Sequence, residues 1–198
     1  MHDLEERDIP IIPTLLFVQG SSADLAQLME LHGWPEVVIK PAVSANAYGT
    51  ILVEGRATEG QLYLDHMLTI HDMLIQPYIP TVMSGERSLI VIAGEVTHAM
   101  VYPPALRREG VQKSDLPKKS PIIPQVDELR LAYKIIDTLS SPVLYGRIDL
   151  VRDVDGQLRV MELELVEQGL SLEQAPEAIE RFADAIAGQV RRAKNRDV

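Results

Sequence analysis

The sequence predicts an α+β fold with largely antiparallel sheets, and three observations carry that prediction. Strand-like runs follow one another in hairpin pairs rather than in the strict β-α-β alternation of a doubly wound sheet. Helical patterns are interspersed among those pairs instead of separating every strand from the next. At 198 residues and 46% hydrophobic content, the chain is long enough for one well-cored domain or two small lobes.

The elements can be justified in order. HDLEERD is an acidic amphipathic stub, and in IPIIPT two prolines frame a short apolar extended segment. Ser21 or Ser22 can cap a helix across ADLAQLMELH, which Gly33 ends. VVIKP (37–41) reads as a buried strand, AVSANAYG (42–49) as a loop of small residues, and TILVEG (50–55) as the returning strand. EGQLYLDHMLTIHD has helical spacing at Leu62, Leu64, Met67 and Leu68. MLIQPYI (73–79) follows as a strand in which Pro77, lacking an N–H, fits an edge or a hinge. Strands around SLIVIAG and VTHAMVY join near Gly94-Glu95. Residues 103–124 hold five prolines with Arg107, Arg108, Lys113, Lys118 and Lys119, and read as one long loop. VDELRLAYKIIDTLS is a helix, YGRIDLVRDVDGQLRVMELELVEQGL contains a hairpin, and PEAIERFADAIAGQVRRAKN is an amphipathic helix with Pro176 in its first turn.

Composition narrows the function. A net charge of −10 argues against a general nucleic-acid binder, which needs a basic stripe to displace counterions. A polyanion such as ATP remains accessible to an acidic protein if a divalent metal and a few local cations reverse the field. Cysteine is absent, which removes disulfides, thiolate metal sites and thiol nucleophiles. No apolar run is long enough to cross a bilayer, and the acidic start does not resemble a signal peptide. The cytoplasm is the expected location.

The densest chemistry lies in the hairpin. A two-residue turn at Asp155-Gly156 would place Asp149 opposite Glu162 and Arg147 opposite Glu164, all four on one face. Directly opposed carboxylates repel, whereas Mg²⁺ wants hard oxygens from one or two carboxylates and from phosphate. Asp149, Glu162 and Glu164 are therefore candidate metal ligands. The alternative is a solvated polar face with an Arg147–Glu164 ion pair. Lys40 ends an apolar strand before the small loop at 42–49, a pattern suited to cradling phosphate, or else to a lysine reaching water. Glu86 in SGERS is either a ligand contact or a surface turn residue. No two histidines pair at metal-ligand spacing, and His98 reads as a packed strand residue.

Taken together, the strand with Lys40, the small loop, the hinge-like LIQPYI, Glu86, the Arg-x-Asp strand and the two glutamates resemble the ATP-grasp superfamily. The resemblance runs from about Ile9 to the terminal helix. ERSLIVIAGEVTHAM and LVRDVDGQLRVMELELVEQGLSL are similar to the branch of glutathione synthetase and RimK-type ligases, which includes a cyclo-ligase of cycloserine biosynthesis. The resemblance implies a small lobe over 9–80 and a large lobe over 81–198 with ATP between them. It implies that Lys40 and the loop with Ser44, Asn46 and Gly49 contact the phosphates, that Gln76, Pro77, Tyr78 and Ile79 bind adenine, and that Glu86 takes the ribose. Asp149, Glu162 and Glu164 would hold Mg²⁺, with Mn²⁺ as a substitute, and Lys40 and Arg147 would be the catalytic cations. Glu164 stands where the family more usually has Asn.

The implied activity is an ATP- and Mg-dependent ligase that joins a small-molecule carboxylate to an amine through an acyl phosphate. The family's separate N-terminal lobe is expected to be missing from this chain. The alternative is thus a truncated, non-catalytic ATP-binding or interaction module, or one half of a split ligase, with a separate lobe or a second copy as partner.

Overall fold

The computed structural model describes residues 2–55, 58–108, 110–166 and 168–194, the side chain of His2 excepted. Two compact units result. One comprises residues 12–80 and 104–115, the other 1–11, 81–103 and 116–198. No helix among the described residues is long and apolar enough to cross a membrane.

The first unit is a four-stranded antiparallel sheet with two helices. Its strands are β1 (Leu15–Phe17), β2 (Glu36–Pro41), β3 (Ile51–Glu54) and β4 (Met73–Pro77), in the order β1-β4-β2-β3. The helices are α2 (Leu25–His32) and α3 (Thr58–Leu68), numbered after α1 (His2–Glu5) of the other unit. Alternation in β2 buries Val37 and Ile39, which join Leu25, Leu64, Leu68, Met73 and Ile75 in one core. Asp24, rather than a serine, caps α2: its carboxylate accepts from the Gln27 N–H at 3.0 Å. Gly33 ends the helix in the left-handed conformation, as expected. Leu62 is two-thirds exposed, and Gly60 is buried in its place. A Cβ on Gly60 would lie 2.7 Å from Val53 Cγ2 and 3.0 Å from Leu25 Cδ2, so only glycine lets α3 approach this closely. β4 is an inner strand, which Pro77 tolerates because β1 pairs only with Met73, Leu74 and Ile75.

The second unit is a five-stranded antiparallel sheet in the order β7-β6-β5-β8-β9. Its strands are β5 (Glu86–Ile92), β6 (Glu95–Tyr102), β7 (Ser120–Ile122), β8 (Tyr145–Arg152) and β9 (Leu158–Glu164). The β5–β6 turn is Ala93-Gly94, one residue earlier than the sequence suggests, with positive φ at both positions. Part of the long loop at 103–124 forms the edge strand β7 and a single 3₁₀ turn at Lys113–Asp115. One sheet face buries Leu89, Val91, Ile148, Leu150 and Val160 against Leu131, Ala132 and Ile135 of α4 (Val126–Thr138). On the other face Ile90, Ile92 and Met100 meet Ala175 and Ala178 at the start of α5 (Glu177–Lys194). The expected last residue of that helix, Asn195, lies outside the described residues.

The hairpin differs from a two-residue turn in an informative way. Its loop is Val154-Asp155-Gly156, closed by the Asp153 N–H donating to the Gln157 carbonyl at 2.9 Å. Of these three residues only Gly156 has positive φ, the pattern of a three-residue hairpin loop. Asp153 braces it, accepting from the N–H groups of Asp155 and Gln157 and from Arg159 Nε. The longer loop pairs Leu150 with Val160, and an irregularity just beyond shifts the ladder, so that Asp149 pairs with Glu162 and Met161 is the extra residue. The bulge lets Val160 enter the core beside Leu150 while Glu162 stands beside Asp149 on the opposite face.

Candidate functional site

The expected oppositions hold: Arg147 pairs with Glu164 and Asp149 with Glu162. Ser88 on β5 pairs with Asp149 from the other side. These residues share the sheet face on which α5 packs, beside Ile90, Ile92 and Met100 and with Phe182 edge-on to Tyr145.

Asp149 is buried at 2% exposure, so its charge requires partners. Ser88 Oγ donates to Asp149 Oδ1 at 2.5 Å. Arg147 donates through Nε to Oδ1 and Oδ2 at 2.8 and 3.1 Å, and through Nη2 to Oδ2 at 2.8 Å. The same Nη2 donates to Glu164 Oε1 at 2.8 Å, so the cross-strand ion pair and the carboxylate cluster coexist. Burial works against the charged form of Arg147, but the bond to Asp149 and the charges of Asp149 and Glu164 prevail and raise its pKa. Burial also raises the Glu164 pKa; Arg147 opposes that shift, while Asp149 and Glu162 reinforce it.

Asp149, Glu162 and Glu164 each bring one carboxylate oxygen within 4.8 Å of the others. Oxygens around an octahedral ion at about 2.0–2.1 Å lie about 3 Å apart when adjacent and about 4 Å when opposite. Three hard donors at this separation need only small rotations to converge on a Mg²⁺ or Mn²⁺ ion, so the donor set fits such a metal. Sequence reasoning missed Ser88, although a lone polar residue in the run SLIVI was a signal. It also missed Tyr102, whose ring centroid lies 5.7 Å from the Arg147 guanidinium. Glu86 opens β5 opposite Tyr102 and is half-buried. His98 is, as expected, a packed strand residue: its Nε2 lies 2.8 Å from the Leu170 carbonyl, to which it donates.

In the first unit, Lys40 sits near the end of β2 opposite Leu74. The loop after it exposes Ser44 and Asn46. Asn46, Ala47 and Gly49 all have positive φ, a strained run for two non-glycine residues. The Tyr63 hydroxyl donates to the Gly49 carbonyl at 2.7 Å and anchors the loop's end. Gln76 is buried and donates through Nε2 to Thr14 Oγ1 at 2.8 Å, so that end of its amide ties β4 to the chain before β1. The Tyr78 N–H donates to the Glu36 carbonyl at 2.9 Å. The Tyr78 ring lies under the Arg108 guanidinium at 5.0 Å, and Arg108 pairs with Glu36. Pro77 and Ile79 flank Tyr78 and are half-buried.

No protein-family model matches the chain. The cycloserine biosynthesis protein DcsG of Streptomyces lavendulae is 27% identical over 209 residues, covering 96% of this chain and 68% of DcsG. The crystal structure of D-cycloserine synthetase DcsG superimposes with a TM-score of 0.86 at 26% identity, covering 95% of this chain and 68% of that one. D-alanine–D-alanine ligase from Bacillus anthracis, complexed with ATP, gives 0.65 at 17% identity over all of this chain and 66% of its own. The ATP-grasp ligase PsnB, with a minimal precursor, Mg and ADP, gives 0.60 at 15% identity, covering 93% and 56%. The fold is therefore the ATP-grasp fold, and the chain resembles DcsG.

Proposed function

From the premise that this chain has the ATP-grasp fold and resembles DcsG, we propose that it is an ATP- and Mg-dependent ligase that joins a carboxylate to an amine. The observation that supports this reading best is the convergence of Asp149, Glu162 and Glu164 around Arg147. Three carboxylates exceed the single positive charge of Arg147, and such an excess on one strand pair is a poor arrangement for stability alone.

Asp149, Glu162 and Glu164 would hold Mg²⁺, which would supply positive charge to neutralise phosphate. Lys40 and the N–H groups of residues 42–49 would take the phosphates. Adenine would lie against Gln76, Pro77, Tyr78 and Ile79. Because one end of the Gln76 amide is engaged by Thr14, recognition there would rest mainly on backbone groups. Glu86 would accept from the ribose hydroxyls.

The reaction would have two displacements. An oxygen of the substrate carboxylate attacks the γ-phosphorus, the bond to the β-phosphate oxygen breaks, and ADP leaves. The amine nitrogen then attacks the acyl carbon, inorganic phosphate departs with the bonding pair of the C–O bond, and the nitrogen loses a proton. Arg147 keeps its charge throughout, since its partners hold its pKa above the usual arginine value. It would stabilise charge on the transferring phosphoryl group, while Lys40 and the loop fix the in-line geometry. No side-chain nucleophile is required, which agrees with the absence of a cysteine. We place the protein in the cytoplasm, where ATP and Mg²⁺ are supplied.

The test is ADP release from Mg-ATP with a panel of amino acids, run in parallel with hydroxylamine to trap the acyl phosphate as a hydroxamate. Amino-acid-dependent ADP and hydroxamate are expected. Nucleotide binding with no turnover would favour the non-catalytic or split-ligase reading instead.

A further inference from the structure

Ser88 is the one polar side chain in the run SLIVI of β5, and it is 1% exposed. A buried hydroxyl needs a partner, and the register of β5 against β8 puts Asp149 directly opposite. The bond between them is short, 2.5 Å from Ser88 Oγ to Asp149 Oδ1, as a hydroxyl donating to a carboxylate should be.

The place of Ser88 is fixed from the other side of the sheet. Successive side chains of a strand point to opposite faces, so its neighbour Arg87 points to α4. There Arg87 Nε donates to Glu128 Oε1, and Nη2 donates to Oε2 at 2.9 Å. Glu128 is fully buried, and its Oε2 also accepts from the Gln125 N–H at 2.8 Å in the capping box that begins the helix. A two-pronged ion pair therefore ties β5 to the start of α4 at the residue next to Ser88.

The two oxygens of Asp149 are not equivalent. Oδ1 accepts from Ser88 Oγ and from Arg147 Nε at 2.8 Å. Oδ2 accepts from Arg147 Nη2 at 2.8 Å and takes only the longer arm of Nε at 3.1 Å. An ionised carboxylate offers about four lone-pair sites, about two on each oxygen. Two close donors fill those of Oδ1, whereas Oδ2 keeps capacity for a further partner. Arg147 reaches both oxygens, so Ser88 is the group that makes them differ.

We infer that Ser88 is a positioning residue: its hydroxyl occupies Asp149 Oδ1, assigns Oδ2 to the divalent cation, and so sets the affinity of the carboxylate cluster for that ion. The inference rests on the metal site of the ligase reading above, and Ser88 acts in it through Asp149 rather than as a ligand. Hydrogen-bond partners of metal ligands are typically worth about 10–100-fold in metal affinity.

Electron paramagnetic resonance of Mn²⁺ with the whole chain and a non-hydrolysable ATP analogue tests this, with folding followed by circular dichroism. Ser88→Ala leaves Asp149 its bonds from Arg147, so the chain should stay folded while Mn²⁺ affinity falls about 10–100-fold. Affinity for the nucleotide without metal should not change. Ser88→Thr keeps the hydroxyl and should recover most of the lost Mn²⁺ affinity. Equal Mn²⁺ affinity in Ser88→Ala and wild type would overturn the role of Ser88 and leave the metal site standing. Two folded variants that are equally weak would overturn it as well, because the hydroxyl would then not be the determinant. An unfolded Ser88→Ala chain would mark a packing role and overturn it too. No nucleotide-dependent Mn²⁺ binding by the wild type would overturn the metal site, and the inference with it.

Discussion

Glu162→Gln separates a metal site from an ion-pair lattice, because the two predict opposite signs for metal-free stability. The carboxylate oxygens of Asp149, Glu162 and Glu164 lie within 4.8 Å of one another. At an effective dielectric of about 20, a pair of unit charges at that distance repels by about 3 kcal/mol before screening. Arg147 and solvent remove most of that, and directly opposed like charges on strands cost about 0.2–1 kcal/mol net. Glutamine keeps the shape and removes the charge, so metal-free stability should rise by about 0.5 kcal/mol, or about 1–2 °C in Tm for a chain of this size. Losing one charge-assisted ligand should weaken Mg-ATP binding by about 1.5–3 kcal/mol, roughly ten- to a hundredfold. Thermal denaturation without metal and calorimetric titration of ATP with and without Mg²⁺ read the two effects separately. A lower metal-free Tm with unchanged Mg²⁺ dependence would refute the metal assignment.

Other consequences follow from particular residues. The Glu164 pKa lies above the usual carboxylate value, so Mg-ATP affinity should rise with pH as Glu164 ionises, and Glu164→Gln should flatten that dependence in calorimetry. Without metal the linkage has the opposite sense: the contribution of Glu164 to stability is full below the ordinary carboxylate pKa and is lost as pH rises through the raised folded value, which denaturation across the acid range would detect. Gly60→Ala should destabilise the first unit by about 1–3 kcal/mol, because its Cβ would meet Val53 and Leu25, although alanine is the better helix former by about 1 kcal/mol; an unchanged or higher Tm would show that α3 can shift. Hydrogen exchange in residues 42–49 should slow on adding Mg-ATP, and unchanged exchange would count against the phosphate role of that loop.

Much of this was legible in the sequence because period-two alternation and turn residues are local signals. The opposition of Asp149 to Glu162 was read correctly, but through two compensating differences. The loop is one residue longer than Asp155-Gly156 implies, and Met161 restores the register as a bulge. The adjacent apolar pair Val160-Met161, which breaks the alternation of β9, was the available sign. Leu62 satisfies helical spacing yet stays exposed, because the close approach of α3 is set by the missing side chain of Gly60. Spacing alone cannot weigh a glycine as a contact. Asp24 outcompetes the two serines as a cap because it directly precedes Leu25, where the helix begins. β7 is short and holds a proline, so its strand character comes from pairing with β6 rather than from its own composition. Gln76 and Ser88 depend on partners far away in sequence, where pattern reading has no purchase.

Electron paramagnetic resonance of Mn²⁺ with a non-hydrolysable ATP analogue addresses the carboxylate cluster itself, since the ion reports its own coordination. Wild-type protein should take up Mn²⁺ in a nucleotide-dependent manner, and Asp149→Asn should abolish that uptake while the chain remains folded by circular dichroism. Mn²⁺ binding of equal strength in Asp149→Asn and wild type, or no nucleotide-dependent binding in either, would contradict a metal–ATP site at Asp149, Glu162 and Glu164.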